Sequence, residues 1–193
     1  KNVGYLNFSG SNNLQLGTQI KVNDKQGVQI PSLAKRKTGL YAINPLTNAF
    51  MMQSFLKIPA QANDNQIIFQ KKLTLANNFT LALTQSSNSS KANVIFGITS
   101  GSNFSFVSGT FAKGEFVHLT AMYDKFNDRK LKLIIYDKND KITVVSSSQS
   151  NLFSSLNYKN SNFTIGTGED CRINGQVNLF IPKQTFSGSI DDL

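Results

Sequence analysis

The chain carries few groups able to do acid–base, nucleophilic or metal chemistry: eleven carboxylates, one histidine and one cysteine in 193 residues. Glycoside hydrolysis needs two carboxyl groups, about 5 Å apart for retention and further for inversion. Side chains two apart on a strand share a face, so an E-x-D-x-E-like run would signal such a pair. The chain has no such run, and its glutamates are Glu115 and Glu169 alone. Glu115 sits at a turn, Glu169-Asp170 lies in a Gly-rich loop, and Asp191-Asp192 are adjacent, a spacing that on a strand sends side chains to opposite faces. His118 stands within the apolar run "EFVHLTAMYD", and no G-x-S-x-G frames a serine as a nucleophile elbow. It reads as a core or sheet-surface histidine. Cys171 has no second cysteine to pair with and too few companions for a zinc site, so it reads as a buried, inert thiol. No catalytic residue is assigned, and the chain is expected not to be an enzyme.

Binding chemistry has more material. The loops "NDN" at Asn63 to Asn65 and "KFND" at Lys125 to Asp128 carry the oxygens that calcium takes. Asp64, Asn65, Asn127 and Asp128 are therefore candidate ligand-binding residues. Solvated turns account for the same loops without an ion; no metal site is asserted and no cofactor is required. Sugar sites combine a stacking aromatic ring with amide and carboxylate partners. The chain has no tryptophan, so a tyrosine would supply the ring, and Tyr41 is the candidate. Simple packing explains Tyr41 equally. The net charge of +9 raises the question of nucleic acid. A phosphate backbone is met by basic residues gathered on one face. Here the lysines are scattered, with one cluster at Lys35-Arg36-Lys37, and arginines are few. No specific nucleic-acid partner is expected. No stretch approaches eighteen apolar residues, so no membrane insertion is expected either.

These groups must be positioned by strands. Sparse charge, abundant Asn, Ser and Thr, and short apolar runs with polar turns read as all-β. The runs "FMMQSFLKIPA", "QIIFQKK", "NFTLALTQ", "VIFGIT", "NFSFVSG", "EFVHLTAMYD", "RKLKLIIYD", "ITVVSSS", "NFTIGTG" and "TFSGSIDDL", with the N-terminal "YLNFSG" and "LQLG", give roughly twelve strands. Residues 21 to 50 lack periodicity and form an irregular insert. Asn-Phe-Ser/Thr recurs at Asn7, Asn78, Asn103 and Asn162, each time at a strand opening, with Phe expected in the core and the hydroxyl facing out. These triplets, and Asn88-Ser89-Ser90, are also glycosylation sequons. "FSGS" occurs at Phe8 and again at Phe186. The two copies are expected on neighbouring strands, with both Phe rings inward and each Gly where a side chain would crowd the adjacent backbone.

Several runs, in order, resemble the laminin-G-like, concanavalin A-like jelly rolls. "GEFVHLTAMYD" followed by "RKLKLIIYDKNDK" is similar to that family's central hairpin, with Phe116 where its tryptophan stands and Tyr123-Asp124 matching its Y-D. "NFTIGTG" and "FSGSIDDL" are similar to its late strands, "YLNFSGSNNLQLG" to its opening strand, and "FMMQSFLKIPA…QIIFQKK" to the pair that follows, with Phe55 at its second tryptophan. The resemblance implies an all-β, two-sheet antiparallel jelly-roll sandwich over residues 1–193, with core roles for Phe55 and Phe116. It implies a non-catalytic binding or adhesion module recognising a cell-surface glycan or protein, in a larger extracellular, cell-surface or virion protein. Lys1 in place of Met and the stop at Leu193 agree with a piece of a longer chain whose other domains are its partners. The alternative is a structural jelly-roll domain of a virus or phage particle or surface layer, with no small ligand.

Overall fold

The computed structural model describes residues 4–22, 45, 49–148, 150–153, 163–173 and 179–191. Tyr41 and nearly all of the 21–50 insert lie outside them, as do Asn162 and Lys35-Arg36-Lys37. The described residues hold twelve strands: β1 (Leu6–Ser9), β2 (Ile20–Val22), β3 (Phe50–Lys57), β4 (Gln66–Thr74), β5 (Asn77–Thr84), β6 (Lys91–Ser100), β7 (Asn103–Ala112), β8 (Phe116–Asp124), β9 (Lys130–Tyr136), β10 (Ile142–Ser146), β11 (Phe163–Ile165) and β12 (Ser187–Asp191). They form two six-stranded antiparallel sheets. Sheet I runs β1-β12-β3-β8-β9-β10, and sheet II runs β2-β11-β4-β5-β6-β7. The all-β jelly-roll sandwich read from the sequence is therefore the fold. Among the described residues no helix is long and apolar enough to cross a membrane.

Alternation builds the core. Val117, Leu119, Ala121 and Tyr123 of β8 and Leu131, Leu133 and Ile135 of β9 point inward from sheet I, and Phe79, Leu81, Leu83, Val94, Phe96 and Ile98 meet them from sheet II. Tyr123 is fully buried, and its hydroxyl donates to Asn151 O at 2.9 Å, which satisfies its polar end. The two "FSGS" stretches pair as expected: β1 lies antiparallel to β12, with Phe8 opposite Gly188. Phe8 and Phe186 are both buried and meet edge to face, with ring centroids 5.5 Å apart. A Cβ on Gly188 would lie 2.6 Å from Lys57 O, and one on Gly10 would lie 2.9 Å from the Ser187 side chain. Gly10 also has φ +69, the left-handed region that favours glycine.

Four expectations are corrected. "LQLG" is a run of turns and bends, and Ile20–Val22 supplies the strand beside β11 instead. Phe55 is 39% exposed and Phe116 half-buried; neither is core. Ser54 and Leu56 hold the inward positions of β3 and Val117 that of β8, so strand parity turns both Phe side chains to the outer face. The hydroxyl of the second triplet does not face solvent, because Asn78 and Thr80 are fully buried. In the third triplet the faces are reversed: Ser105 is buried while Phe104 is half-buried, since Val107 and Phe111 set the inward parity of β7.

Phe8→Ala and Phe186→Ala are each expected to lower unfolding free energy by about 3–5 kcal/mol in urea melts. The double variant should show about 0.5–1.5 kcal/mol of coupling. Gly188→Ala should destabilise although it adds only a methyl, through its clash with Lys57 O; an unchanged urea midpoint would refute the close approach.

Candidate functional site: a polar cleft on the outer face of sheet II

The site begins with a bulge. The β4–β5 register shifts between Ile67 and Phe69. Ile68 and Phe69 consequently both enter the main core, and beyond them Gln70 and Lys72 share the outer face of β4. Ordinarily that face would be solvent. Here the segment after β11 folds back across it. Cys171 and Ile173 pack on Ile67 and Ala82 in a second, smaller buried cluster, bordered by Ile95 and Phe180. A Cβ on Gly97 of β6 would lie 2.4 Å from the Ile173 side chain, so glycine makes room for this cover.

Polar groups beneath the cover are hydrogen-bonded to the loop and to one another. The Gln70 amide donates to Glu169 O at 2.9 Å and accepts from Glu169 N at 2.8 Å, a two-point clamp between β4 and the loop. It also reaches Thr80 Oγ1 at 3.3 Å. Asn78 Nδ2 donates to Leu75 O and Arg172 O, Thr80 Oγ1 donates to Asn78 Oδ1, and Thr99 Oγ1 donates to Arg172 O. Asn78 is thus a sequon asparagine whose side chain is buried and committed, whereas Asn7, Asn88 and Asn103 are exposed.

At the rim of the cover, Lys72 Nζ lies 2.8 Å from Glu169 Oε2 and 3.3 Å from Asp170 Oδ1. Adjacent carboxylates on a strand would diverge; in this loop both converge on one ammonium. Partial burial works against the Lys72 charge, but the hydrogen bonds and charges of Glu169 and Asp170 outweigh it and raise its pKa. A raised lysine pKa adds stability that is fully present below the ordinary value near ~10.4 and is lost as pH rises through the folded value. The stability that this raised lysine pKa adds is therefore lost only in strong alkali. These residues line an open cleft of about 910 Å³ together with Leu14, Gln15, Gln19, Ile181 and Pro182. Thr164 and Thr167 also line it, and Thr167 Oγ1 donates to Leu14 O.

The residues singled out from sequence lie elsewhere. Asp64 is exposed, and Asn65 Nδ2 donates to Ile181 O at 3.3 Å while Asn65 O accepts from Lys183 N. Asn127 is exposed, with its backbone N–H on Asp124 Oδ1. Asp128 accepts from Lys130 N and pairs with Lys132 Nζ at 2.8 Å. The hydrogen bond from Lys132 holds the Asp128 carboxyl below the usual range, ahead of the opposing effect of desolvation. A cation there would have to displace Lys132. Among the described residues no three His, Cys, Asp or Glu side chains gather to hold a metal. Glu115 pairs with Lys138 at 2.7 Å. His118 is a sheet-surface residue between Phe55 and Tyr136, at 4.9 and 5.7 Å ring to ring.

Cys171 is fully buried against Thr80, and desolvation pushes its thiol pKa up. It is expected to resist an aromatic disulfide reagent at pH 8 until the chain unfolds. Gln70→Leu strips Glu169 N and O of their partner and should cost about 1–3 kcal/mol. In that variant Cys171 should label faster than the urea midpoint alone explains, because the loop above it is released; labelling in step with global unfolding would count against the clamp.

No family model and no curated protein sequence matches the chain. Solved structures do. The LG1-3 region of the laminin alpha2 chain is 14% identical, with a TM-score of 0.52 over 75% of this chain and 26% of that one. Mouse laminin alpha1 domains LG4-5 are 12% identical, with a TM-score of 0.52 over 99% of this chain and 42% of that one. A SAP-like pentraxin from Limulus polyphemus is 15% identical, with a TM-score of 0.48 over 74% of this chain and 60% of that one. The chain spans less than two thirds of the length of each. At this identity the likeness is one of fold: the chain is a concanavalin A-like jelly roll of the kind found in laminin LG domains.

Proposed function

We propose that the chain is a non-catalytic binding module whose cleft on sheet II takes a cell-surface glycan, within a larger extracellular or virion protein. The observation that carries this reading is the cleft's chemistry. Amides from Gln15 and Gln19, hydroxyls from Thr164 and Thr167, and the Glu169–Asp170 carboxylates surround one trough. Such a set of donors and acceptors suits a hydroxyl-rich ligand. The floor is held by Gln70, so little ordering accompanies binding. Both carboxylates face the same lysine, an arrangement unlike the separated acid and nucleophile of a glycosidase.

The test is an array of cell-surface polysaccharides and oligosaccharides, followed by titration of any hit. Gln15→Ala and Glu169→Ala should each weaken binding by about 10-fold, the effect of one lost hydrogen bond to a charged or amide group; Gln15→Ala should leave the melting temperature unchanged, whereas Glu169→Ala also gives up one partner of Lys72 and should lower it slightly. No arrayed glycan should be cleaved. A hit whose affinity ignores both substitutions would move the site away from the cleft. An array without hits would favour the structural role, and turnover abolished by Glu169→Gln would make the chain an enzyme.

A further inference from the structure

Sheet I ends in a strand that nothing among the described residues covers. β10 pairs with β9 on one side only. Natural edge strands are usually blunted by a charge, a proline or a bulge. β10 reads Ile-Thr-Val-Val-Ser, with none of these, and its register with β9 runs unbroken from Ile142 to Ser146. Ile142 is 53% and Val144 57% exposed.

The backbone directions follow from the ladder. Asp137 N donates to Lys141 O, and Ser147 N donates to Leu131 O. Antiparallel pairs alternate between bonded and non-bonded. Lys141, Thr143, Val145 and Ser147 therefore bond toward β9, and the N–H and C=O groups of Ile142, Val144 and Ser146 point to the open side.

We propose that β10 is a self-association edge, pairing antiparallel with β10 of a second copy about a two-fold axis at Val144. In that register Val144 faces its mate as a bonded pair, and Ile142 faces Ser146 of the other copy. All three outward-directed residues of each strand gain backbone partners. The charges agree with this register. Asp140 and Lys141, before the strand, come opposite Ser148 and Ser147, after it, so no like charges meet. The outer face also continues across the joint. Phe55, His118, Tyr136 and Ile142 form one row over β3, β8, β9 and β10, and the row extends to Ser146 of the second copy. The net charge of +9 on each copy opposes association over a longer range. The contact is a strand edge, below the ~1,200 Å² of a stable interface, so the dimer should be weak and strengthened by salt.

Sedimentation of the whole chain tests this. Between ~1 and ~500 µM the weight-average mass should rise from 21.3 kDa toward twice that value, more steeply at high salt. Val144→Pro removes an outward N–H without breaking the β9 ladder, so the chain should keep its circular dichroism and stay monomeric. Should Val144→Pro fail to fold, cysteine variants keep the test open. Val144→Cys should form a disulfide dimer on mild oxidation, since the bonded pair places its Cα atoms about 5.5 Å apart. Ile142→Cys should not, and buried Cys171 leaves the parent chain unlinked. A parent chain monomeric throughout, a dimer untouched by Val144→Pro, or cross-linking as fast at position 142 as at 144 would each overturn the proposal.

Discussion

The outer face of sheet II depends on one side chain amide. Gln70 behaves as a short piece of backbone: it offers Glu169 one donor and one acceptor, as a neighbouring strand would. That pairing fixes the height of the loop after β11. Cys171 and Ile173 can then reach Ile67 and Ala82, and Arg172 O can take the hydrogen bonds of Asn78 and Thr99. Lys72, two residues along on the same face, meets two carboxylates only because the loop is held there. Without the clamp the buried polar row of β5 and β6 would lose its partners, and unpaired buried groups are expensive.

The two outer faces of the sandwich are consequently unlike. Sheet II covers part of its outer face with its own chain and leaves a largely polar cleft there; on the same face Phe106 of β7 is 41% exposed. On the outer face of sheet I, Met51, Phe55, Tyr136, Ile142 and Val144 are exposed. Its charged residues on that side are largely paired with each other, as Lys132 is with Asp124 and Asp128. The hydrogen-bonding groups of the cleft and the exposed apolar row of sheet I thus lie on opposite sides of one core. A ligand in the cleft and a second chain along β10 would not compete.

Strands were legible in the sequence because alternation and polar turns act over short range. The β1–β12 pairing was legible for a further reason: a phenylalanine followed two residues later by glycine leaves few alternatives when it occurs at both ends of the chain. Parity was less secure. The bulge in β4 and the inward turn of Ser54 are decided by the opposite sheet, so Phe55 and Phe116 resembled core residues and are not. The alternation of β5 suggested a wet face at Asn78 and Thr80, but burial there is imposed by a loop some ninety residues away.

The cleft shows the same limit in its sharpest form. Its floor joins Gln70 and Lys72 to Glu169 and Asp170, residues separated by almost a hundred positions. Neither pair carries a motif: a glutamine and a lysine on a strand read as a solvated face, and Glu-Asp reads as a polar loop. One signal was available. A Gly-rich loop carrying adjacent acids, followed at once by a lone cysteine and an isoleucine, is an odd composition for a freely solvated turn, because the apolar residues need somewhere to go. Once they are placed on Ile67 and Ala82, the acids must lie at the rim, beside Lys72, the outward residue of β4 beyond Gln70. Burial of two small apolar side chains thereby orients the charged ones, so a substitution at Ile173 should disturb the cleft although Ile173 does not line it.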